Sequence, residues 1–312
     1  MFLFRTYYRF KPFVPGGIRL AFRRWRAQQR RRDFAAEWPI KQSTAARPAG
    51  WKDWPDGKKF ALVLTHDVER TGGLEQSRAL AEVERSRGFR SAFNFIPEGD
   101  YQVTPEFRQF LSGHGFEVGV HDLKHDGKLY WSREDFQRQA RSINHYLREW
   151  KAVGFRSGFM HHNLDWLHDL DVLYDSSTFD TDPFEPQPDG VDTIFPFWVS
   201  SPGRPGYVEL PYTLAQDFTL FLLLQETTID IWKQKLDWVA AHGGMAMIDV
   251  HPDYVDLDGP GRPGVSYPVR YYAELLDYVR EKYAGQFWPA LPREVAEHAK
   301  QCLAPHVNGV PA

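Results

Sequence analysis

Phe60-Ala61-Leu62-Val63-Leu64-Thr65-His66-Asp67-Val68-Glu69 is the stretch on which the reading of this chain turns. Phe60–Thr65 is an unbroken apolar run closed by a threonine. That is the pattern of a strand buried on both faces, which parallel sheets contain. A histidine and two acids follow at once. In α/β folds the loops leaving the carboxyl ends of parallel strands converge, so His66, Asp67 and Glu69 stand where such folds build their chemistry.

Towards the carboxyl terminus the same alternation continues. Leu74–Arg87 has helical spacing, Ser91–Ile96 predicts a strand, and Pro105–Leu111 a helix with proline in its first turn. Phe116–Val120 predicts a third strand and Ser132–Trp150 a helix opened by a capping box of Ser132 and Asp135. Val153–Phe159 reads as a strand, and Asp180–Pro205, rich in Pro, Asp and Gly, as long loops. The alternation resumes with Val208–Leu214, a helix over Thr228–His242, a strand at Met245–Val250, a helix at Val269–Tyr283 and a last helix from Pro292. Repeated β–α units over about 240 residues predict one α/β domain, a parallel barrel or a doubly wound sheet.

Towards the amino terminus the character changes. Ten of the 38 Lys/Arg residues lie in Met1–Arg32, where no acid occurs before Asp33, which leaves 28 basic against 41 acidic residues in the remainder. Ile18, Ala21, Phe22 and Trp25 recur at helical spacing among Arg19, Arg23, Arg24, Arg26, Arg30, Arg31 and Arg32. Two readings fit. One is an interfacial helix in which residues 1–32 contact an anionic membrane; the other is a helix that packs its apolar stripe on the acidic body. Nucleic acid is not an expected partner, because the acidic body repels phosphate. Arg5, Arg9, Lys11 and Pro12 interrupt any signal-peptide core. The longest apolar stretch, around Phe218–Leu224, falls well short of the roughly 20 residues of a membrane-spanning helix. The expected location is the cytoplasm, peripheral at most on the inner membrane face. Ser43–Pro55 reads as a linker, dividing a basic arm and linker over residues 1–48 from a catalytic domain over 49–312. Cys302, the single cysteine, excludes an intrachain disulfide and a cysteine-based zinc cluster. At 42% hydrophobic and 25% charged, the composition is that of a globular protein and excludes a disordered or collagenous one.

Four clusters of reactive side chains follow predicted strands: residues 65–69, His121-Asp122-Leu123-Lys124-His125, Phe155-Arg156-Ser157-Gly158-Phe159, and Asp249-Val250-His251-Pro252. Chance alone gives about half an H-x-x-x-H pair at this histidine content, so the spacing proves nothing by itself. Its place directly after a strand is what counts. On a helical turn, residues four apart face the same side, so His121 and His125 can grip one cation. A strand-end carboxylate, from Asp67 or Glu69, completes two imidazoles and one carboxylate with an open position, the donor set of hydrolytic zinc. The other carboxylate is then placed to serve as general base. The plainer readings are solvated loop histidines and a surface acidic pair. His251 reads as a general acid or as a buried structural histidine. Arg156 reads as the orienter of a catalytic carboxylate, depressing its pKa, or as a surface ion pair.

Taken in chain order, D-x-E, H-x-x-x-H, R-x-G-F, Tyr174-Asp175-Ser176-Ser177 and a late strand-borne histidine resemble the polysaccharide deacetylase superfamily (NodB homology, carbohydrate esterase family 4) over residues 58–300. The resemblance implies a deformed (β/α) barrel with a divalent metal, usually zinc, at its mouth. It implies that Asp67 is the catalytic base, that His121 and His125 bind metal, that Arg156 steadies the base, and that His251 is the acid. Asp175 falls where an acid tunes that histidine, with Asp180 and Asp182 as rivals. Three positions depart from the pattern. Val68 stands where a second aspartate usually binds metal, so that role passes to Glu69; His66 replaces an aromatic residue; and Gly158-Phe159 replaces Pro-Tyr. The implied activity is metal-dependent removal of acetyl groups, N-acetyl ahead of O-acetyl, from a polysaccharide or lipid-linked glycan. Eleven tryptophans offer flat faces for such an acetylated carbohydrate. A second reading is hydrolysis of a small cyclic amide or imide, as relatives resembling allantoinases perform, in a pocket narrowed by Asp180–Pro205. A third is a non-catalytic carbohydrate-binding relative, for which Val68 and Glu69 speak.

Overall fold

The computed structural model describes residues 16–305; the part of the basic arm before Gly16 lies outside them. In chain order the strands are β1 (Phe60–Val68), β2 (Ala92–Phe95), β3 (Glu117–His121), β4 (Gly154–Arg156), β5 (Tyr174–Asp175), β6 (Phe197–Ser201), β7 (Arg204–Glu209), β8 (Met245–Asp249), β9 (Val255–Asp256), β10 (Tyr267–Pro268) and β11 (Phe287–Ala290). The helices are α1 (Gly16–Asp33), α2 (Thr71–Arg85), α3 (Pro105–Gly113), α4 (Arg133–Trp150), α5 (Asp230–His242), α6 (Arg270–Lys282) and α7 (Pro292–Leu303).

All nine residues of β1 are buried, because this strand is paired along its whole length. Phe60–Val63 runs parallel to β11, Thr65–Val68 to β2 and Ala61–Thr65 to β8. The sheet continues β2-β3-β4-β5-β7-β6, with β6 antiparallel to β7 at the end. Just beyond β7, the backbone N–H groups of Thr213 and Leu214 both donate to Met247 O of β8 at 3.0 Å, and Tyr212 bridges Phe179. The sheet therefore curls round to meet its own first strands. This is the deformed (β/α) barrel that the strand–helix alternation and the resemblance implied.

Helix α4 shows how the outer layer is held. Ser132 Oγ accepts from Asp135 N at 3.1 Å, the N-cap half of the capping box expected there, and its hydroxyl donates to Asp135 Oδ2 at 2.9 Å. Phe136, Ala140, Ile143 and Leu147 form the buried stripe, in one cluster with Val120 of β3 and Phe155 of β4. A fully buried side chain of the Leu or Phe class contributes roughly 1.5–3 kcal/mol. Such stripes press the helices onto the sheet and fix the ends of β3 and β4, from which His121 and Arg156 project.

Several expectations need correction. Ser43–Pro55 is no loose linker: Thr44, Trp51 and Trp54 are buried, the Trp51 and Trp54 rings meet at 4.7 Å, and Trp54 Nε1 donates to Gly243 O at 2.8 Å. Within Asp180–Pro205 the chain forms β6, and Ile194 links Thr44 to Met245 through its backbone. The apolar run at Phe218 is a short π-helical turn, Phe218–Leu223, buried beyond its first residue. Among the described residues no helix is long and apolar enough to cross a membrane.

Candidate active site

The parallel registers bring the ends of five strands, β1, β2, β3, β4 and β8, to one level. Asp67 lies opposite Asn94, His121 opposite Arg156, and Thr65 opposite Asp249. Glu69 follows directly after β1, and His251 stands two residues past the end of β8.

One donor set is Glu69, His121 and His125, whose ligand atoms all lie within 4.8 Å of one another. His121 Nδ1 is 3.0 Å from the Arg156 carbonyl, which only an N–H can satisfy, so its Nε2 carries the lone pair. That Nε2 is buried and finds no hydrogen-bond partner among the described residues. Burial pushes both imidazoles below their ordinary pKa against the pull of nearby carboxylates, which keeps the rings neutral and able to ligate. Glu69 is divided between two tasks. Tyr254 Oη donates to its Oε2 at 2.8 Å, while Oε1 lies 3.5 Å from His125 Nε2. Burial would raise the Glu69 pKa, but His125, His251 and the Tyr254 hydrogen bond bring it down to about 2. Two neutral imidazoles, an ionised carboxylate and an orphaned Nε2 fit a divalent cation such as zinc.

The H-x-x-x-H pair is not helical, contrary to the expectation. His121 ends β3, and a turn with Asp122 (φ 56°) and His125 (φ 51°) in left-handed conformations brings the rings to 4.9 Å. Phe159 stacks on His125 at 4.4 Å. Gly158 lies beneath: a Cβ there would stand 2.6 Å from Asp122 Oδ2 and 2.7 Å from His125 Cδ2. A glycine at 158 is thus demanded by the position of His125.

Beside this set lies a chain of alternating charges. Asn94 Nδ2 donates to Asp67 Oδ1 at 2.9 Å. Arg156 Nη1 is 3.3 Å from Asp67 Oδ1, 3.0 Å from Asp249 Oδ1 and 2.9 Å from Thr65 Oγ1, while its Nε donates to Ser176 O at 2.9 Å. Burial works against ionisation of Asp67, yet Arg156, with His121 and His251, holds it well below the usual carboxylate range. His251 Nδ1 is 2.7 Å from Asp217 Oδ1, and its Nε2 is 3.5 Å from Asp249 Oδ2. Burial would lower that imidazole; Asp249 and Asp217 more than reverse the effect and raise it well above its ordinary value.

Asp67, Asp249 and His251 also lie within 4.8 Å of one another. This second set already holds a cation, the Arg156 guanidinium lying on both carboxylates, and a protonated imidazole. The set free of internal positive charge is Glu69, His121 and His125.

Asp175 does not take the place expected of it. It accepts from Ser177 Oγ at 2.8 Å and shares a buried hydrogen bond with Glu209. Its rivals are engaged elsewhere, Asp180 with Lys235 at 2.5 Å and Asp182 with Tyr212 at 2.8 Å. The acid on His251 is Asp217, fixed by four donors: His251 Nδ1 and N, Phe218 N, and Tyr267 Oη at 2.9 Å. Sequence reading missed Asp217, Asn94 and Tyr254, and saw Asp249 without giving it a role. Two faint signals existed: a polar residue between phenylalanines in the strand around Asn94, and a lone acid before the longest apolar run.

No protein-family model matches the sequence, and no curated protein matches it at a significant level. Solved structures do. A Mycobacterium smegmatis protein provisionally named a polysaccharide deacetylase is 20% identical, superposes with a TM-score of 0.63, and covers 85% of this chain and 99% of its own. The PuuE allantoinase is 15% identical with a TM-score of 0.63, covering 82% of this chain and 94% of its own. The chain has the polysaccharide deacetylase fold. At these identities the fold is what is shared.

Proposed function

We propose that the protein is a metal-dependent hydrolase that removes acetyl groups, N-acetyl ahead of O-acetyl, from a polysaccharide or lipid-linked glycan. The observation that carries this reading is the opposed tuning of two groups beside the three-donor set. Asp67 is held ionised and His251 is held protonated, and groups pushed apart in this way are the expected base and acid. Glu69, His121 and His125 would hold the cation, which supplies Lewis acidity towards an acyl carbonyl and makes water more acidic. Asp67, fixed by Asn94 and Arg156, takes the proton from the attacking water. His251, oriented by Asp217, delivers a proton to the departing atom. An amine cannot leave as its anion, whereas an alkoxide leaves more readily, so a protonated His251 favours the N-acetyl substrate.

The test is acetate release from an N-acetylated chito-oligosaccharide by zinc-loaded protein. Asp67→Asn is expected to lower the rate by about 10²–10⁴-fold, the usual worth of a general base. Full activity in that variant overturns the assignment. The allantoinase neighbour keeps a second reading open, hydrolysis of a cyclic amide, since its fold likeness is equal. Ring opening without acetate release would select it.

A further inference from the structure

We propose that α1 is a docking helix that seats the protein on an anionic lipid surface through Ile18, Phe22 and Trp25. The helix has two faces, and the body uses the one the apolar spacing did not indicate. Arg24 Nε donates to Leu222 O at 2.9 Å and Gln28 Nε2 to Leu224 O at 3.4 Å. Arg31 pairs with Glu226 at 2.5 Å, Arg30 donates to the Pro183 carbonyl, and Ala27 is only 4% exposed. Leu20 packs on the same side. Residues 20, 24, 27 and 31 share one side of a 3.6-residue helix, and 18, 22 and 25 share the other.

That other side is open. Ile18 is 62% exposed, Phe22 57% and Trp25 60%, with the Phe22 and Trp25 rings 5.8 Å apart. In a helical projection Arg26 flanks this strip on one side and Arg32 on the other, and both are exposed. A narrow apolar strip with an aromatic pair and cationic flanks matches the boundary between headgroups and acyl chains.

Charge decides between occupants. A second copy of the chain, packed strip to strip, would bring the arginine flanks together with no acid on the helix before Asp33. A nucleic acid has no use for the apolar strip. Residues 33–312 carry 28 basic against 41 acidic residues, so an anionic bilayer repels the body and attracts α1, which gives docking a single orientation.

The full chain is mixed with phosphatidylglycerol–phosphatidylcholine vesicles and, separately, with pure phosphatidylcholine vesicles, and co-sedimentation is measured. Binding is expected to the first, to weaken in high salt, and to fall at least about tenfold in the Phe22→Ser, Trp25→Ser double variant. Both positions are exposed, so thermal unfolding of the variant should match that of the parent. No binding to anionic vesicles, or equal binding by the double variant, overturns the proposal. So does a concentration-dependent dimer in sedimentation velocity that the two substitutions abolish, since the strip then belongs to a second copy.

Discussion

Gly158→Ala is a small change with a calculable effect on the metal site. Gly158 has no left-handed backbone angle, so alanine is tolerated by the chain itself and the effect is steric. The new Cβ would sit 2.7 Å from His125 Cδ2, and ordinary contact begins at 3.4 Å, so the ring must retreat by about 0.7 Å unless Asp122 gives way as well. Asp122 is tied to the same spot, since its carboxylate accepts from the Gly158 N–H. Metal–ligand distances tolerate about 0.2 Å, so a shift of this size strains or removes one ligand of three. The expected loss of zinc affinity is about 10–100-fold, or about 1.4–2.7 kcal/mol. Competition against a chromogenic chelator measures it, with circular dichroism and thermal unfolding of metal-free protein as the check on folding. Gly113→Ala is the control: a Cβ there meets nothing within 4 Å, and zinc affinity should not move. If Gly158→Ala binds zinc within about twofold of the parent while folded, His125 is not a ligand held in this place.

Two further outcomes follow from the buried charges. In Asp217→Asn, His251 loses one of the two carboxylates that overcome its burial, so its pKa falls. The protonated acid is then lost at lower pH, and the alkaline limb of the acetate-release profile should move down; an unmoved limb refutes the role of Asp217. In Glu84→Gln the buried His66 loses its partner. His66 Nδ1 donates to Val250 O at 2.7 Å and Nε2 to Glu84 Oε1 at 2.8 Å, so both N–H groups are spent. Unpairing this imidazolium should cost about 3–5 kcal/mol in urea unfolding. Burial opposes its charge, yet Glu84 and the Val250 carbonyl raise its pKa above the ordinary 6.5. Its contribution is therefore complete below about pH 6.5 and is lost as the pH climbs through the folded value. The variant should lose that slope, and an unchanged slope across neutrality argues against the ion pair.

The parts of the fold legible in the sequence are those where a long segment has one environment. Phe60–Thr65 and Met245–Val250 read as strands because every residue is buried, and Ser132–Trp150 as a helix because its stripe and its cap agree. β4 occupies three residues of the stretch Val153–Phe159 that reads as a strand, whereas β5, with two residues, is too short for any periodicity to speak. The site residues at strand ends were visible for the same reason that the strands were. The partner of His251 was not. Asp175, Asp180, Asp182 and Asp217 are all acids near strand ends, and only the closure of β7 onto β8 brings Asp217 to the imidazole. Helix α1 shows a related limit: its spacing displays an apolar stripe, but the carbonyls of Leu222 and Leu224 capture Arg24 and Gln28, and that turns the stripe outwards.

His66 and Asp249 acquire meaning together, because both belong to the seam between β1 and β8. Thr65 Oγ1 donates to Ile248 O at 2.7 Å and His66 to Val250 O, so polar bonds as well as the ladder stitch the two strands that present the base and the acid. Asp249 then joins the two functional groups. Its Oδ1 shares the Arg156 guanidinium with Asp67, and its Oδ2 faces His251. Burial and the neighbouring Asp67 push Asp249 up to about 7, against the pull of Arg156 and His251. Asp67, Asp249 and His251 must therefore exchange protons as a set, and a pH profile would report the set instead of single residues. Asp67 and Asp249 stand on strands, and His251, just past β8, is held by Asp217 through both its N–H and its ring, so the set keeps the narrow tolerance that proton transfer requires.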